Sequence, residues 1–257
     1  MSLPIVIQAH MSSTRLPGKI MRKYKNFTIL DILIQRLKKS PKVKKIIIAT
    51  TKNKKDLPII NYCKKNKIEF FRGSEDDVLE RYYQTAKHYK LKNLVRLTSD
   101  CPLIDIKTLN HMIDYFEKNK IDFYSNTVPH PCKFPDGADI EIFNFKTLKK
   151  SHFSAKLQSE REHVTFFMWK TGKFKTKKYN INKNLSKYRY TVDYYNDFKL
   201  ICSPIDEHGE SILDIDMYEI IDFIKKNPKK VSYQKKLYRT IGWQKSFKKD
   251  NIYLKKL

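Results

Sequence analysis

Residues 10–19, His10-Met11-Ser12-Ser13-Thr14-Arg15-Leu16-Pro17-Gly18-Lys19, put two permanent cations, three hydroxyls and a glycine into one short loop. The loop follows an apolar run, Pro4 to Ala9, that reads as a buried first strand. Backbone N–H groups, hydroxyls and fixed positive charge in one place are what a polyphosphate requires. The Gly-x-x-x-x-Gly-Lys-Ser/Thr spacing of a Walker loop is absent, and a solvated turn is the competing reading. A second stretch, Arg96-Leu97-Thr98-Ser99-Asp100-Cys101-Pro102-Leu103-Ile104-Asp105, delivers an acid, Asp100, at the carboxyl end of a strand, where Pro102 stops the pairing. A third, Tyr188-Arg189-Tyr190-Thr191-Val192-Asp193, ends a strand-like run in another acid. Taken singly, either aspartate could instead cap a helix or form a turn, as Asp105 is placed to cap the helix that begins near Ile106. Two such acids in one crevice repel unless a cation lies between them. Mg²⁺ suits that position, because it binds hard oxygens and needs only one or two protein carboxylates beside phosphate oxygens.

The elements that must position these residues alternate. Strands are expected at Ile5–Ala9, Lys45–Ala49, Ile68–Phe71, Leu94–Leu97 and Asp122–Ser125. Between them, Thr28 to Ser40 carries Leu30, Leu33, Ile34 and Leu37 on one helical face, with Thr28 and Asp31 spaced as a capping box. Ser74 to Tyr89 repeats the device, with Ser74 as cap and Val78, Leu79, Tyr82 and Ala86 on one face. Further helices are expected at Asp56–Asn66 and Ile106–Lys118. Strand–helix alternation implies a mostly parallel central sheet with helices on both faces, and ligands then bind beyond the carboxyl ends of the strands. The loops at 10–19, 50–56, 72–76 and 98–105 point there. The second half predicts a strand at Asp139–Phe143, helices at Phe145–Phe153 and Glu160–Lys170, a strand pair Lys173–Tyr179 with Tyr188–Val192, and helices at Asn196–Ser203 and Asp216–Asn227. The basic tail from Lys229 onward is expected to pack through Tyr233, Tyr238 and Trp243.

The segment Gln8-Ala9-His10-Met11-Ser12-Ser13-Thr14-Arg15-Leu16-Pro17-Gly18-Lys19 resembles the nucleotide-binding signature of sugar cytidylyltransferases. It is most similar to the SpsF-like group of spore-coat polysaccharide biosynthesis, with CMP-KDO and CMP-sialic acid synthetases more distant. Phe70-Phe71-Arg72-Gly73-Ser74-Glu75-Asp76-Asp77-Val78-Leu79-Glu80-Arg81-Tyr82 matches the same group. The family usually has Arg where this chain has His10, and Pro where it has Phe166. The resemblance runs through nearly the whole chain in ordered motifs. It implies a Rossmann-like nucleotide-diphospho-sugar transferase fold, a nucleotide-binding half at about 1–127, an acceptor half at about 128–228 and a basic extension at 229–257. It implies nucleotide contacts from Gln8, Ala9, His10, Ser12, Ser13, Thr14, Arg15, Lys19, Thr50, Arg72, Gly73 and Thr98. Arg15, Lys19 and Asp100 would be catalytic, and Asp100 and Asp193 would hold Mg²⁺. Asp136, Asp139, Glu141, Arg161 and His163 would line the acceptor pocket, unless Asp136-Gly137 is a simple turn and Glu160 and Glu162 a helix start. Arg81 either reaches inward or pairs with Asp77 on a wet face.

The implied reaction is CTP plus an acidic or phosphorylated sugar giving a CMP-sugar and pyrophosphate. A metal-dependent glycosyltransferase that uses a finished nucleotide-sugar on a similar scaffold is the alternative. It would not need a triphosphate grip at Arg15 and Lys19. The formal net charge of +26, from 53 Lys+Arg against 27 Asp+Glu, raises a nucleic-acid-binding reading. The lysines are spread through almost every segment and gather in no stripe, so no nucleic-acid partner is expected. No apolar stretch approaches the length of a membrane span, and the N-terminus has no signal-peptide core. Cys63, Cys101, Cys132 and Cys202 are far apart, and His10, His130 and His163 lack metal-ligand spacing. A reducing cytoplasm is therefore expected, with neither a disulfide framework nor a zinc site. Relatives of the family suggest a homodimer.

Overall fold

The computed structural model describes residues 2–237 and 239–256. Tyr238, expected to help pack the tail, lies outside them. In chain order the first half runs β1 (Leu3–Gln8), the small hairpin β2 (Lys23–Tyr24) and β3 (Phe27–Thr28), α1 (Ile29–Lys38), β4 (Val43–Thr51), α2 (Leu57–Lys65), β5 (Glu69–Gly73), α3 (Val78–His88), β6 (Asn93–Thr98), α4 (Ile106–Lys118) and β7 (Phe123–Ser125). The second half runs β8 (Glu141–Asn144), α5 (Phe145–Ser154), α6 (Gln158–Glu162), α7 (Phe166–Lys170), β9 (Thr176–Lys178), α8 (Tyr195–His208), α9 (Met217–Lys226), α10 (Pro228–Val231) and α11 (Gln244–Leu254).

The central sheet has seven strands in the order β5-β4-β1-β6-β8-β7-β9. β5, β4, β1 and β6 are mutually parallel, β8 is antiparallel to both neighbours, and β9 joins β7 in parallel. The pleat explains how both faces are covered, since successive side chains point to opposite sides. Ile5 and Ile7 of β1 pack with Leu30, Leu33, Ile34 and Leu37 of α1, with α2 and with α4. Val6, between them, packs with Val78, Leu79, Tyr82 and Ala86 of α3 and with α5 and α7. A third cluster joins Phe27 and Ile32 to Phe134, Tyr190, Val192 and the apolar faces of α8 and α9. Buried Arg36 of α1 ties the loop before α4 to the segment before α9 by donating to the carbonyls of Ile104 (2.9 Å), Ile212 (2.7 Å) and Ile215 (2.8 Å). The four cysteines are buried free thiols. No helix among the described residues is long and apolar enough to cross a membrane.

Local signals explain several element ends. The Thr28–Asp31 capping box starts α1, and Asp105 caps α4 through the Thr108 N–H. The cap of α3 is Asp77 rather than Ser74; Ser74 Oγ instead accepts from the Asp77 N–H in the turn before it. The expected helix at 160–170 is two short helices. Val164 adopts φ of +61° between them, a left-handed conformation that a β-branched residue rarely takes. The tight hairpin before α1 and the helix α11 in the tail were not expected.

Residues 188–192 do not pair with β9 as a strand. Their backbone groups are used on two loops instead. Tyr190 N–H donates to Asp136 O (2.8 Å), Asp136 N–H to Tyr188 O (2.9 Å) and Val192 N–H to Asp100 O (2.8 Å), leaving one isolated bridge, Asp136 with Arg189. The crossing is close enough to demand glycine at 137. Its φ is +109°, and a Cβ there would stand 2.6 Å from Thr191 N. Gly137→Ala is therefore expected to lower the unfolding free energy by about 2–4 kcal/mol. Urea denaturation checks this, and an unchanged midpoint would mean that the two segments do not cross so closely.

Candidate active site

A cavity of about 480 Å³ opens beyond the carboxyl ends of β1 and β6. Its lining runs from Glu75 and Arg81 on the α3 side, past His10, Ser12 and Arg15, to Thr98 and Asp100. It ends on Asp136, Asp139, His163 and the tail residues Trp243 and Lys245. A second hollow, of about 530 Å³, lies between Leu91 and Phe145 and shares none of these side chains.

The floor is an ion cluster built from three segments. Gly18, at φ +67°, donates its N–H to Met11 O and closes the loop, so that Lys19 starts a single 3₁₀ turn pointing inward. The buried Lys19 ammonium donates to Asp100 Oδ2 (2.8 Å), Asp193 Oδ1 (3.0 Å) and Val192 O (2.7 Å). Burial disfavours its charge, but the two carboxylates outweigh that and raise its pKa. Burial likewise pushes the Asp100 carboxyl up, while Lys19 beside it holds it far below the ordinary carboxylate range. The cation that two converging acids require is thus present in the chain itself. Asp193 also takes Arg15 (2.5 Å) and Arg189 (2.7 Å), and Arg15 lies over the Tyr194 ring. Arg189 goes further, pairing with Asp136 and with Asp197 at 3.3 Å. Asp197 receives the N–H groups of Asp193 and Tyr194 at the start of α8. One guanidinium therefore links the Asp136 loop, the Asp193 corner and a helix start.

The remaining expected residues divide by placement. Gln8 lines the cavity and accepts from Arg96 Nη2 at 2.8 Å; Arg96 also pairs with Glu141, which in turn accepts from Thr165. His10 shares a hydrogen bond with Ser12 Oγ at 2.9 Å, and burial together with Arg81 lowers its pKa. The Ser12 hydroxyl donates to Glu75, which also accepts from Asn53; these two bonds lower the Glu75 pKa. Asp136 and Asp139 face Arg239, at 3.5 and 3.3 Å. His163 Nε2 meets Ser246 Oγ at 2.9 Å and its ring packs on Phe166 and Trp243.

Other expected contacts are directed elsewhere. Ala9 is buried and bonded to Ala49 at the end of β1. Ser13 Oγ faces the Leu16 N–H and Thr14 is exposed. Thr50 is buried and donates to Asp56. Arg72 donates to the carbonyls of Thr51 and Lys52. Gly73 is covered by the Arg81 side chain. Arg161 pairs with Asp77 and the His152 carbonyl, which leaves Arg81 turned inward. No cluster of three or more His, Cys, Asp or Glu able to hold a metal is found among the described residues. The hard oxygens of Asp100 and Asp193, converging on one cationic atom, are a donor set that fits a divalent ion. Asp100 is the more open of the two, its side chain 29% exposed against 11%.

Arg189 and Arg239 were missed in the sequence. Arg189 left one signal, a charge in an otherwise apolar run four residues before Asp193. Arg239 left none, because its partners lie about a hundred residues away.

A sequence model of the cytidylyltransferase family matches residues 5–239. An uncharacterized protein of Methanocaldococcus jannaschii is 37% identical over 226 residues, covering 87% of this chain and 90% of that one. The spore coat polysaccharide biosynthesis protein SpsF of Bacillus subtilis is 30% identical over 231 residues, covering 87% and 94%. The solved structure of a cytidylyltransferase from Leptospira borgpetersenii superposes with a TM-score of 0.83 at 38% identity, covering 90% of this chain and 97% of that one.

Two outcomes test the site. Arg189→Met removes one partner from each of three carboxylates that keep others, and should cost about 2–3 kcal/mol of stability in chemical denaturation, with Arg189→Lys losing less. Burial, with Arg96 and Lys170 nearby, pushes the His163 pKa from 6.5 to about 3. The unfolded chain takes a proton below 6.5 that the folded chain refuses until about 3, so stability falls as pH falls through that window. Between pH 6.5 and 5 the wild type should lose about 1–2 kcal/mol more than His163→Gln. Parallel stability curves for the two proteins would refute a buried neutral His163.

Proposed function

Because the chain belongs to the cytidylyltransferase family, we propose that it transfers the cytidylyl group of CTP to a hydroxyl of an acidic or phosphorylated sugar, releasing pyrophosphate. The observation that carries this reading is the cluster of Arg15 and Lys19 with Asp100 and Asp193 at the mouth of β1 and β6, inside a cavity with further polar groups on both sides.

The sugar oxygen attacks the α-phosphorus, a P–O bond forms, and the bond to the β-phosphate breaks in line. Arg15 and Lys19 supply fixed positive charge to the β- and γ-phosphates as pyrophosphate leaves. Lys19 keeps its proton throughout, because its two carboxylates raise its pKa. Asp100 and Asp193 would hold Mg²⁺, which when bound supplies charge neutralisation at the α-phosphate and acidifies the attacking hydroxyl. Asp136 and Asp139, steadied by Arg189 and Arg239, present acceptor oxygens to the sugar hydroxyls. Aligning two bound reactants can supply about 7–11 kcal/mol of the barrier reduction, so most of the work assigned to these residues is positioning. The reading includes surface-polysaccharide or glycan synthesis as the destination of the product, a homodimer as the assembly and the cytoplasm as the compartment; buried free thiols are compatible with the last.

The test is pyrophosphate release from CTP, Mg²⁺ and a panel of sugars. Asp100→Asn should lower turnover by about 100-fold or more while the fold persists, monitored by thermal unfolding. Near-normal release by that variant would overturn the role of Asp100. Activity with a nucleotide-sugar and none with CTP would favour a glycosyltransferase.

A further inference from the structure

We propose that Arg81 reads the base of the nucleotide, accepting cytosine and rejecting uracil; this rests on the cavity being a CTP site. The starting point is an imbalance of charge. Arg81 is only 1% exposed, yet no carboxylate lies within ion-pair distance of it among the described residues. Other buried arginines are compensated. Arg36 is held by three carbonyls, Arg96 by Glu141 and Gln8, and Arg189 by three aspartates. Arg81 has one carbonyl, Ser74 O at 2.6 Å; its Nε has no partner, as in Arg96 and Arg189, but those two have carboxylates on their terminal nitrogens and Arg81 has none. A buried guanidinium left in that state is costly, and burial accordingly depresses its pKa. The chain nevertheless makes room for it. Gly73 lacks a side chain where a Cβ would stand 2.9 Å from Arg81 Cγ, and the side chain reaches the cavity wall.

The layout of the cavity says which part of the ligand meets it. Arg15 and Lys19 hold the phosphate-binding centre between β1 and β6. Asp136, Asp139 and the tail form the wall on the acceptor side. The side toward β5 and α3, where Arg81 lies with Glu75, is left for the base. Cytosine presents two adjacent acceptors, O2 and N3, and a 4-amino donor beside them. A guanidinium is a donor-only group whose N–H bonds match a pair of adjacent acceptors. Uracil replaces the N3 acceptor with an N–H, which sets donor against donor. Glu75, steadied by Ser12 and Asn53, supplies the acceptor for the 4-amino group. Uracil offers that carboxylate an oxygen and no donor.

Calorimetric titration of the full chain with CTP, UTP and inorganic tripolyphosphate tests the assignment. The wild type should prefer CTP to UTP by about 10-fold or more, and Arg81→Met should bring that ratio to about 1–3 while tripolyphosphate affinity stays within about two-fold. Arg81→Lys keeps the charge but not the planar fork, so it should also lose the preference; it carries the test if the methionine variant fails to fold in a thermal melt. A preference kept in the folded variants would overturn the proposal. So would an equal loss of tripolyphosphate affinity, which would make Arg81 a phosphate ligand. Wild-type protein that bound no CTP would overturn the CTP reading itself, and this inference with it.

Discussion

The buried ammonium of Lys19 is what allows two aspartates to share one crevice. Asp100 lies just beyond the end of β6 and Asp193 ends a loop-crossing segment 93 residues later; the ammonium sits between their carboxylates and offsets the repulsion of two like charges. Lys19 also takes the carbonyl of Val192, so it fixes the backbone as well as the charges. Arg189 extends the arrangement outward to Asp136 and Asp197. The two halves of the cavity are therefore joined electrostatically, and a change at either end is felt at the centre.

That coupling bears on the phosphate chemistry proposed for the cluster. A site filled with paired charges is already organised before a triphosphate arrives, and fixed dipoles and ions need not reorient during the reaction. The same cluster is a stability element, since removing one partner of a buried pair leaves the other uncompensated. The relatives in the cytidylyltransferase family share the frame of the chain over most of its length. Within that frame, His10 is bonded to Ser12 and Arg81 is lodged against Gly73.

Much of this was legible in the sequence where local rules decide. The alternation of Ile5, Val6 and Ile7 marked a strand buried on both sides, and Thr28 with Asp31 marked a helix start. Asp105 was readable as a cap for the same reason. The errors occur where distant partners decide. Residues 188–192 alternate like a strand, yet their hydrogen bonds go to Asp136 and Asp100. The 160–170 helix breaks at Val164, and the turn delivers His163 and Thr165 to the cavity and to Glu141. Arg72 and Arg161 carry the charge a nucleotide or sugar would want, but backbone carbonyls and Asp77 claim them first. Charge and spacing can nominate a residue. Only the packing around it determines whether its donors are free.

The tail ends as masonry in the cavity wall. Asp250 of α11 accepts from the Ser159 N–H of α6, Ser246 meets His163, and Trp243 stacks against Phe166. Those contacts lie past the residues matched by the family, which stop at 239. The Lys19 cluster stands on loops anchored by the sheet, where a shift of register disturbs everything packed on it, whereas α11 meets the cavity through a few side chains. A substitution in α11 would therefore reshape one wall of the cavity and leave the ion cluster opposite it as it is.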